Sequence, residues 1–400
     1  MGVAFFIALS EPTLARFRDA DISSRMTASP WRLVPWLILL SIAALIGLGL
    51  SGIARGDELA GSSTFYAKQL IWVGVAGFVL LVVNLFNYRI LARFSLPIFC
   101  VAVVLLCIVF AFRPINGARR WIPLGFMSFQ PSEVTKLAYI IALASYLRFR
   151  ENYRKMSGLA APFAMTLLPM ALIYKEPNLG TCLLFLPVLF AMLFTAGARP
   201  RHLIAVILLG TCLTPVLWLG MSREQRSRVS AMVLQHDGGG AVHDDGDHLH
   251  RSKRVIALGG TWGSQIDDPL VDDPAAYYVP EARTDFIFCM IAERWGFVGC
   301  CLTLLLYAGL YGQGLLIAAA TRDPFGRLLA VGIVTLFATQ TVINTAMTVG
   351  LMPITGITLP LLSYGGSSLA TTCLALGLLI NVGLHQSYEL RGQPFRFAAG

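Results

Sequence analysis

Charge is scarce in this chain. Only 13% of the 400 residues are charged and 56% are hydrophobic, whereas a soluble domain is usually about 25% charged. This shortage excludes an ordinary soluble globular protein, and the repeated long apolar runs predict an all-α polytopic membrane protein. The formal net charge is +9, but much of it falls in short loops between apolar runs. It therefore indicates orientation in a membrane rather than binding to nucleic acid.

The cysteines and histidines also limit which kinds of disulfide or metal site the chain could contain. All eight cysteines lie in apolar segments, which fits neither a disulfide framework nor a zinc site, so we interpret them as small buried residues. The first ten residues are mildly apolar, but charged residues follow closely, so no cleaved signal peptide is predicted. Four of the six histidines lie in 236–250 among glycines and aspartates. Such a run is typical of a solvated loop, with a metal site as the alternative.

The apolar runs predict ten transmembrane spans. Both termini then lie on one side, and the short loops on that side hold more lysine and arginine, so both termini are predicted to be cytoplasmic. The spans lie at roughly 33–53, 69–87, 95–112, 131–149, 159–174, 180–196, 201–220, 297–320, 326–348 and 364–386. The predicted divisions are a cytoplasmic tail, spans one to seven, a large extracytoplasmic loop with an outer segment, spans eight to ten, and a second cytoplasmic tail, at 1–32, 33–220, 221–296, 297–386 and 387–400.

One charged stretch interrupts this pattern directly before the eighth span. Asp285, Glu293 and Arg294 stand against a long apolar run, and an ionisable residue beside lipid is a functional candidate by default. A single helix from Thr284 to Ala320 would be about 55 Å long at ~1.5 Å per residue. The hydrocarbon core is only about 30 Å thick. The sequence therefore predicts a break near Gly296, with Asp285 in an outer segment at the membrane surface.

A second irregular segment lies at 350–363. It is uncharged and apolar, but Pro353, Gly356 and Pro360 interrupt it. Irregular backbone at membrane depth must face protein or a water-filled cavity. The segment is therefore predicted to dip back into the protein and line a cavity.

Several polar motifs border the predicted outer side. Arg119 and Arg120 suit a phosphate ligand because guanidinium groups donate forked, charge-assisted hydrogen bonds; an anchor to lipid headgroups is the alternative. Trp121 suits the membrane interface. Glu133 and Lys136 are three residues apart on one helix face and are expected to pair, and a neutralised structural pair is the alternative reading. Lys175 borders the outer side in the same way.

A glycine-containing motif precedes the last span. Its backbone N–H groups, at a helix start, suit an anion, although small residues also mediate helix packing. The residues are Ser363, Tyr364, Gly365, Gly366 and Ser367.

Together these motifs resemble the SEDS family (shape, elongation, division and sporulation), which includes the RodA and FtsW peptidoglycan glycosyltransferases. The resemblance follows the family's order across most of the chain, and the short tails lean slightly to RodA. The segments that carry it are 116–122, 129–136, 176–181, 284–288 with Glu293, and 350–368.

The resemblance implies an enzyme that polymerises lipid II on the outer face of the bacterial cytoplasmic membrane. Asp285 matches the family's essential aspartate and would act as the base, and Arg119, Arg120 and Lys136 would stabilise the diphosphate that leaves. Glu133 and Glu293 would hold or tune those cations, and the loop 350–363 would bind the polyprenyl tail. The partners implied are lipid II, membrane lipids and a class B penicillin-binding protein transpeptidase. No cofactor is assigned, and a divalent cation is left open.

Two departures from the family pattern affect this prediction. Arg283 replaces the usual histidine, and Arg294 replaces the second member of a common Glu-Glu pair. An adjacent Arg283 would lower the pKa of Asp285 and weaken it as a base. Two other functions are considered: a transporter that flips a lipid-linked precursor, and a non-catalytic scaffold.

Overall fold

The computed structural model describes most of the chain between Pro35 and His385, and in that part the protein is almost entirely helical. A short antiparallel ribbon pairs Ile122–Pro123 with Ser128–Phe129. The described residues are 35–61, 64–114, 118–123, 125, 128–149, 155–221, 223–233, 245–264, 274–279 and 281–385.

Thirteen α-helices are described, and ten of them coincide with the predicted spans. Numbered in chain order, they are α1 Trp36–Leu59, α2 Thr64–Val83, α3 Arg89–Arg93, α4 Ser95–Ile108, α5 Pro131–Leu147, α6 Ala160–Lys175, α7 Leu179–Ala196, α8 Pro200–Gly220, α9 Arg223–Val233, α10 Asp245–Leu258, α11 Ile287–Ala320, α12 Pro324–Thr348 and α13 Gly366–Leu384. Short 3₁₀ turns occur at Val109–Ala111, Met156–Leu159 and Pro274–Tyr277.

Local sequence signals fix several helix starts. Pro131 and Pro324 occupy the first turns of α5 and α12, where a missing N–H costs nothing. The Asp323 side chain caps α12 by accepting hydrogen bonds from two N–H groups of its first turn. Asn178 caps α7 through a bond from Thr181 N. These polar residues satisfy donors that a helix leaves free at its N-terminus.

The helices confirm a polytopic membrane protein. Among the described residues, seven helices are long and apolar enough to cross a membrane. Ser95–Ala111 and Pro200–Cys212 are shorter apolar helical stretches, and α5 carries the predicted Glu133–Lys136 pair within its 17 residues. The total of ten crossings, the orientation of the termini and the divisions of the chain stay predictions.

Helices α12 and α13 are the most buried of the seven long apolar helices. In each, 72% of the apolar window is buried inside the protein, against 11% in α2. Helix α2 begins at Thr64, earlier than the predicted start at 69. The polar Gln69 of this helix has partners inside the fold. Its side chain donates to Ser363 O at 3.3 Å and accepts from Gly365 N at 3.3 Å.

Helix α11 is broken at Gly296, as the length argument predicts. Gly296 has φ 62° and ψ −161°, which interrupts the helix between its outer and membrane-spanning parts. The segment 259–264 satisfies backbone groups at the break. Phe297 N donates to Gly260 O at 3.0 Å, and Ser264 N donates to Glu293 O at 2.8 Å.

The segment 349–365 is irregular and largely buried, as predicted from its prolines and glycines. It is held between α1 and α7 by close backbone contacts. A Cβ placed on Gly49 would lie 2.6 Å from Leu362 O, and one on Gly180 would lie 2.5 Å from Thr355 O. Any side chain at these two glycines would push the segment away, so the bundle requires glycine on both sides of it.

Candidate active site

Asp285 lies in the turn 281–286 that leads into α11, and its carboxylate faces the irregular segment 349–365. A Cβ placed on Gly356 would lie 3.6 Å from Asp285 Oδ2. The residue is partly exposed. The carboxylate is therefore packed against the loop without being sealed from solvent.

Hydrogen bonds to three consecutive backbone carbonyls hold this turn in place. Tyr364 N donates to Arg283 O at 2.8 Å, the Ser363 hydroxyl donates to Thr284 O at 2.5 Å, and Asn344 Nδ2 donates to Asp285 O at 2.8 Å. Bonds to successive carbonyls leave the backbone little freedom to rotate. The loop and α12 thus determine where the Asp285 carboxylate points.

Asn344 is a positioning residue that the sequence analysis missed. It is fully buried and its Nδ2 also donates to Ile357 O at 2.6 Å, so one amide joins the Asp285 turn to the irregular loop. Its Oδ1 has no hydrogen-bond partner among the described residues. An asparagine inside a membrane-spanning helix was the available signal, because such a side chain requires partners in the protein.

Burial raises the pKa of Asp285 to about 6, and the nearby carboxylate of Glu281 adds to this effect. Arg120 and Arg228 act in the opposite direction. A carboxylate with a pKa of about 6 is ionised at neutral pH yet is a stronger base than an ordinary aspartate.

Arg283 would lower the pKa of Asp285 if its guanidinium lay beside that carboxylate, but the guanidinium is directed elsewhere. Arg283 Nε pairs with Asp57 Oδ1 of α1 at 2.8 Å, and its Nη2 donates to Gly56 O at 2.8 Å. The guanidinium is directed to the end of α1. Arg283 and Asp285 are two residues apart in the same turn, and their side chains point in different directions.

The two predicted arginines of the 116–122 motif separate. Arg120 Nε donates to Glu176 O at 2.9 Å, and its Nη2 donates to Pro177 O. Arg119 Nη1 donates to Phe110 O at 3.1 Å and remains exposed. Of the two, Arg120 is the one whose charge acts on Asp285. Trp121 follows it and is partly buried.

Glu133 and Lys136 form the predicted ion pair. Lys136 Nζ lies 2.8 Å from Glu133 Oε1, and both side chains are buried. Lys136 also lies close to Tyr139 and Phe185 in the interior of the bundle. Lys136 is therefore neutralised by Glu133, and its contact with a diphosphate stays a prediction.

Glu293 does not hold any of the cations expected for it. It is fully buried and forms a forked pair with Arg55 of α1, with Nη2–Oε1 at 2.7 Å and Nε–Oε2 at 3.0 Å. A buried carboxylate requires a nearby cation, and α1 supplies it. The sequence analysis missed Arg55, although an arginine near the end of the first span was a visible signal.

The residues 363–367 support the Asp285 turn, and part of their expected anion-binding capacity is already used. The N–H groups of Tyr364 and Gly365 donate to protein acceptors. Gly366 packs against Trp72, since a Cβ there would lie 2.1 Å from Trp72 Cε2. Ser363 and Ser367 are buried. Binding of substrate by these residues stays a prediction, as it does for the exposed Lys175.

Glu176 is a second buried carboxyl group near Arg120. It is fully buried, and neither oxygen has a hydrogen-bond partner in the described structure. Burial raises the pKa of Glu176 to about 8, and Arg120 reduces the effect. Glu176 is therefore mostly protonated at neutral pH, which leaves the charge of Arg120 available to other groups.

A small cleft of about 40 Å³ lies beside this cluster. Its walls come from α7, α9 and the irregular loop, and Arg228 and Gln225 are its polar residues. The loop residue Thr355 lines it and directly precedes Gly356, where an added Cβ would lie 3.6 Å from Asp285 Oδ2. The cleft is lined by Pro177, Leu179, Leu183, Gln225, Arg228, Val229, Pro353, Ile354 and Thr355.

The described residues contain no group of three or more His, Cys, Asp or Glu side chains that could hold a metal ion. Most of the histidine-rich stretch 236–250, named above as an alternative metal site, lies outside the described residues.

Comparison with known proteins identifies the family to which the chain belongs. A family model for cell cycle proteins of the FtsW, RodA and SpoVE type matches residues 31–388. The chain belongs to this family. The match includes every candidate residue named above, and it confirms the resemblance drawn from the motifs.

Individual relatives support the same assignment. The chain is 30% identical to the probable peptidoglycan glycosyltransferase FtsW of Bacillus subtilis, over 88% of this chain and 91% of that protein. It is 31% identical to the peptidoglycan glycosyltransferase RodA of Treponema pallidum, over 88% of this chain and 98% of that protein. These similar identities do not select one branch of the family, and the slight lean to RodA stays a prediction.

The fold also matches a solved structure. That structure describes the coordination of polymerization and crosslinking by a peptidoglycan synthase complex. The match has a TM-score of 0.75 at 30% identity and covers 88% of this chain and 97% of that chain.

Proposed function

We propose that the protein is a peptidoglycan glycosyltransferase that polymerises lipid II into glycan strands. The observation that carries the proposal is the Asp285 carboxylate, whose pKa is raised to about 6. It lies beside Gly356, which directly follows the cleft residue Thr355, and within the field of Arg120 and Arg228. The names of the relatives FtsW and RodA, both given as peptidoglycan glycosyltransferases, agree with it.

The reaction forms one bond and breaks another at the anomeric carbon of a lipid-linked disaccharide. A sugar hydroxyl attacks that carbon, and Asp285 accepts the hydroxyl proton. The bond to the diphosphate oxygen breaks with inversion, and the polyprenyl diphosphate leaves with the electron pair. Arg120 and Arg228 stabilise the negative charge that develops on the leaving group, as preorganised cations do in many transferases.

Glu133 and Lys136 have a supporting role in this proposal. Their buried pair keeps one positive charge neutralised inside the bundle near the start of α5. Lys136 would reach the diphosphate only if substrate binding loosened the pair. Arg119, Trp121 and Lys175 are exposed or partly exposed near the same side, where they suit contacts with the lipid headgroup region.

The location and partners follow from the proposed substrate. We place the protein in the bacterial cytoplasmic membrane, with both termini cytoplasmic and Asp285 at the outer face, where lipid II is polymerised. A class B penicillin-binding protein transpeptidase would crosslink the strands. The similar structure, described as coordinating polymerization and crosslinking, supports a partner of that kind.

The test is polymerisation of lipid II by purified protein, with and without a divalent cation and a transpeptidase partner. Asp285→Asn removes the proton acceptor at constant size. We expect it to abolish polymer formation and to leave lipid II binding largely intact. Because only the ionised carboxylate accepts a proton, the native rate should fall as the pH is lowered through about 6.

The control is Asp247→Asn, which removes an exposed carboxylate paired with Arg251 on α10. This variant should polymerise normally, since exposed pairs contribute little. Full activity of Asp285→Asn would refute the role of the base. Translocation of lipid II in liposomes by the native protein, with no polymer formed, would instead favour the transporter.

A further inference from the structure

Helix α1 is tied to the turn 281–286 and to the outer part of α11 by a row of three ion pairs, here called the α1 ion-pair row. The pairs are Arg55–Glu293 at 2.7 Å, Asp57–Arg283 at 2.8 Å and Glu58–Arg294 at 3.3 Å. The two arginines that depart from the family pattern are thus both paired with carboxylates of α1. The proposed chemistry uses none of these residues.

The Asp57–Arg283 pair is the member of the row nearest in sequence to Asp285. The Asp57 side chain is 6% exposed and that of Arg283 is 19% exposed, so this pair is shielded from solvent. Both oxygens of Asp57 are in use, because Oδ1 contacts Arg283 and Oδ2 accepts from Tyr66 N at 2.9 Å. The carboxylate therefore links the end of α1, the start of α2 and the turn 281–286.

Arg283 is held from three directions. Besides Asp57, its guanidinium donates to Gly56 O at 2.8 Å and lies 4.5 Å from the centre of the Phe65 ring. Phe65 in turn packs edge-to-face on Tyr364, with ring centres 5.0 Å apart. Tyr364 also binds the Arg283 backbone directly, because its N–H donates to Arg283 O. Both the side chain and the backbone of Arg283 are fixed, two residues before Asp285.

We propose that Asp57 is a positioning residue for glycan polymerisation, which acts by holding Arg283 and thereby the direction of the Asp285 carboxylate. This inference rests on the proposed function. Removing one member of a buried ion pair leaves an uncompensated charge that the structure must relax to solvate. Here the relaxation would move the turn that carries the base.

The principal variant is Asp57→Asn, which removes the charge at nearly constant size. A misplacement of about 1 Å at a reacting group can reduce turnover by on the order of 100-fold. We expect kcat to fall by between about 10-fold and 100-fold on that basis, with KM changed by less than about threefold. Asp57→Glu keeps the charge and should recover most of the activity. A residue that only stabilises the fold would lower the amount of active protein without this rescue.

Two further variants test the pairing. If Asp57 acts through Arg283, the double variant Asp57→Asn/Arg283→Gln should be no slower than the slower single variant, because both remove the same interaction. Glu58→Gln is the matched control on the same helix. Its carboxylate is 54% exposed, so its loss should change the rate by less than about twofold.

A measurement that needs no catalysis separates this inference from the proposed function. Hydrogen exchange of a peptide covering 281–290 should become faster in Asp57→Asn, while peptides of α12 keep their protection. If the native protein forms no polymer, the proposed function fails, and the exchange measurement still tests the link from Asp57 to the turn. If the native protein is active and Asp57→Asn matches it in rate and exchange, the inference is overturned.

If all peptides of the Asp57→Asn variant lost their protection from hydrogen exchange, the variant would be unfolded. Arg283→Lys then takes its place, because it keeps the positive charge beside Asp57 but loses the planar group that reaches Gly56 O and Phe65. It should show a smaller fall in kcat and faster exchange confined to 281–290. Native kcat and native exchange in this variant would also overturn the inference.

Discussion

Replacing Asn344 by leucine should uncouple the Asp285 turn from the irregular loop. The side chain is fully buried, and its amide donates to Asp285 O at 2.8 Å and Ile357 O at 2.6 Å. Leucine has a similar size and cannot donate. The variant therefore leaves two carbonyls without this donor and removes little packing.

The expected change in stability follows from the two hydrogen bonds that are lost and the one unpaired oxygen that is removed. Each buried acceptor left without a partner costs about 1–3 kcal/mol, so two cost about 2–6 kcal/mol. The Oδ1 of Asn344 has no partner in the described residues, and removing it returns about 1–3 kcal/mol on the same scale. We therefore expect a net loss of stability of about 1–3 kcal/mol.

The control lies one turn earlier on the same helix. Gln340 is also buried, donates to Thr358 O at 2.7 Å, and has an Oε1 without a partner among the described residues. Gln340→Leu should loosen the same loop without touching Asp285. Unfolding in detergent measures stability, and polymerisation of lipid II measures turnover.

The two variants should differ in activity more than in stability. We expect Asn344→Leu to lose at least about tenfold in kcat because its turn is displaced, whereas Gln340→Leu retains most of its rate per folded molecule. Equal losses of activity in the two variants would refute the role given to Asn344. So would a native rate in Asn344→Leu.

Two more predictions concern Glu176 and the break in α11. The pKa of Glu176 is raised from 4.5 to about 8 in the folded protein, so the native state binds the extra proton and stability falls as pH rises between these values. Glu176→Gln, which cannot ionise, should remove that part of the pH dependence in unfolding experiments and keep activity at neutral pH; an unchanged pH dependence would contradict the assignment. Gly296→Ala should destabilise the protein and lower activity, because φ is 62° and the new Cβ would lie 2.4 Å from Thr261 O. Gly312→Ala, where a Cβ on the same helix meets nothing within 4 Å, should unfold like the native protein, and equal effects of the two changes would exclude the steric explanation.

Features that depend on local sequence were predictable. The break at Gly296 follows from helix length against membrane thickness, and the irregular loop follows from Pro353, Gly356 and Pro360 in an apolar segment. The Glu133–Lys136 pair follows from three-residue spacing on one helix face. In each case neighbouring residues determine the outcome.

Features that depend on pairing between distant helices were not predictable. Glu293 was expected to hold or tune Arg119, Arg120 or Lys136, but its partner is Arg55, 238 residues away. Arg283 was expected to act on Asp285, but Asp57 holds it instead. Charge spacing along a chain does not tell which helix end lies opposite, because the packing of the whole bundle decides it. Asn344 was overlooked because a search for charged groups passes over a neutral amide.

The close packing of Gly49 and Gly180 against the irregular loop limits the paths that a substrate can take. The backbone of the loop lies against α1 on one side and α7 on the other, with no room for even a methyl group at either glycine. Moving this wall aside as a gate for a lipid-linked sugar or a growing strand would break both of these close contacts. Traffic through the cleft is therefore expected along its opposite wall, past Arg228 and Val229 of α9.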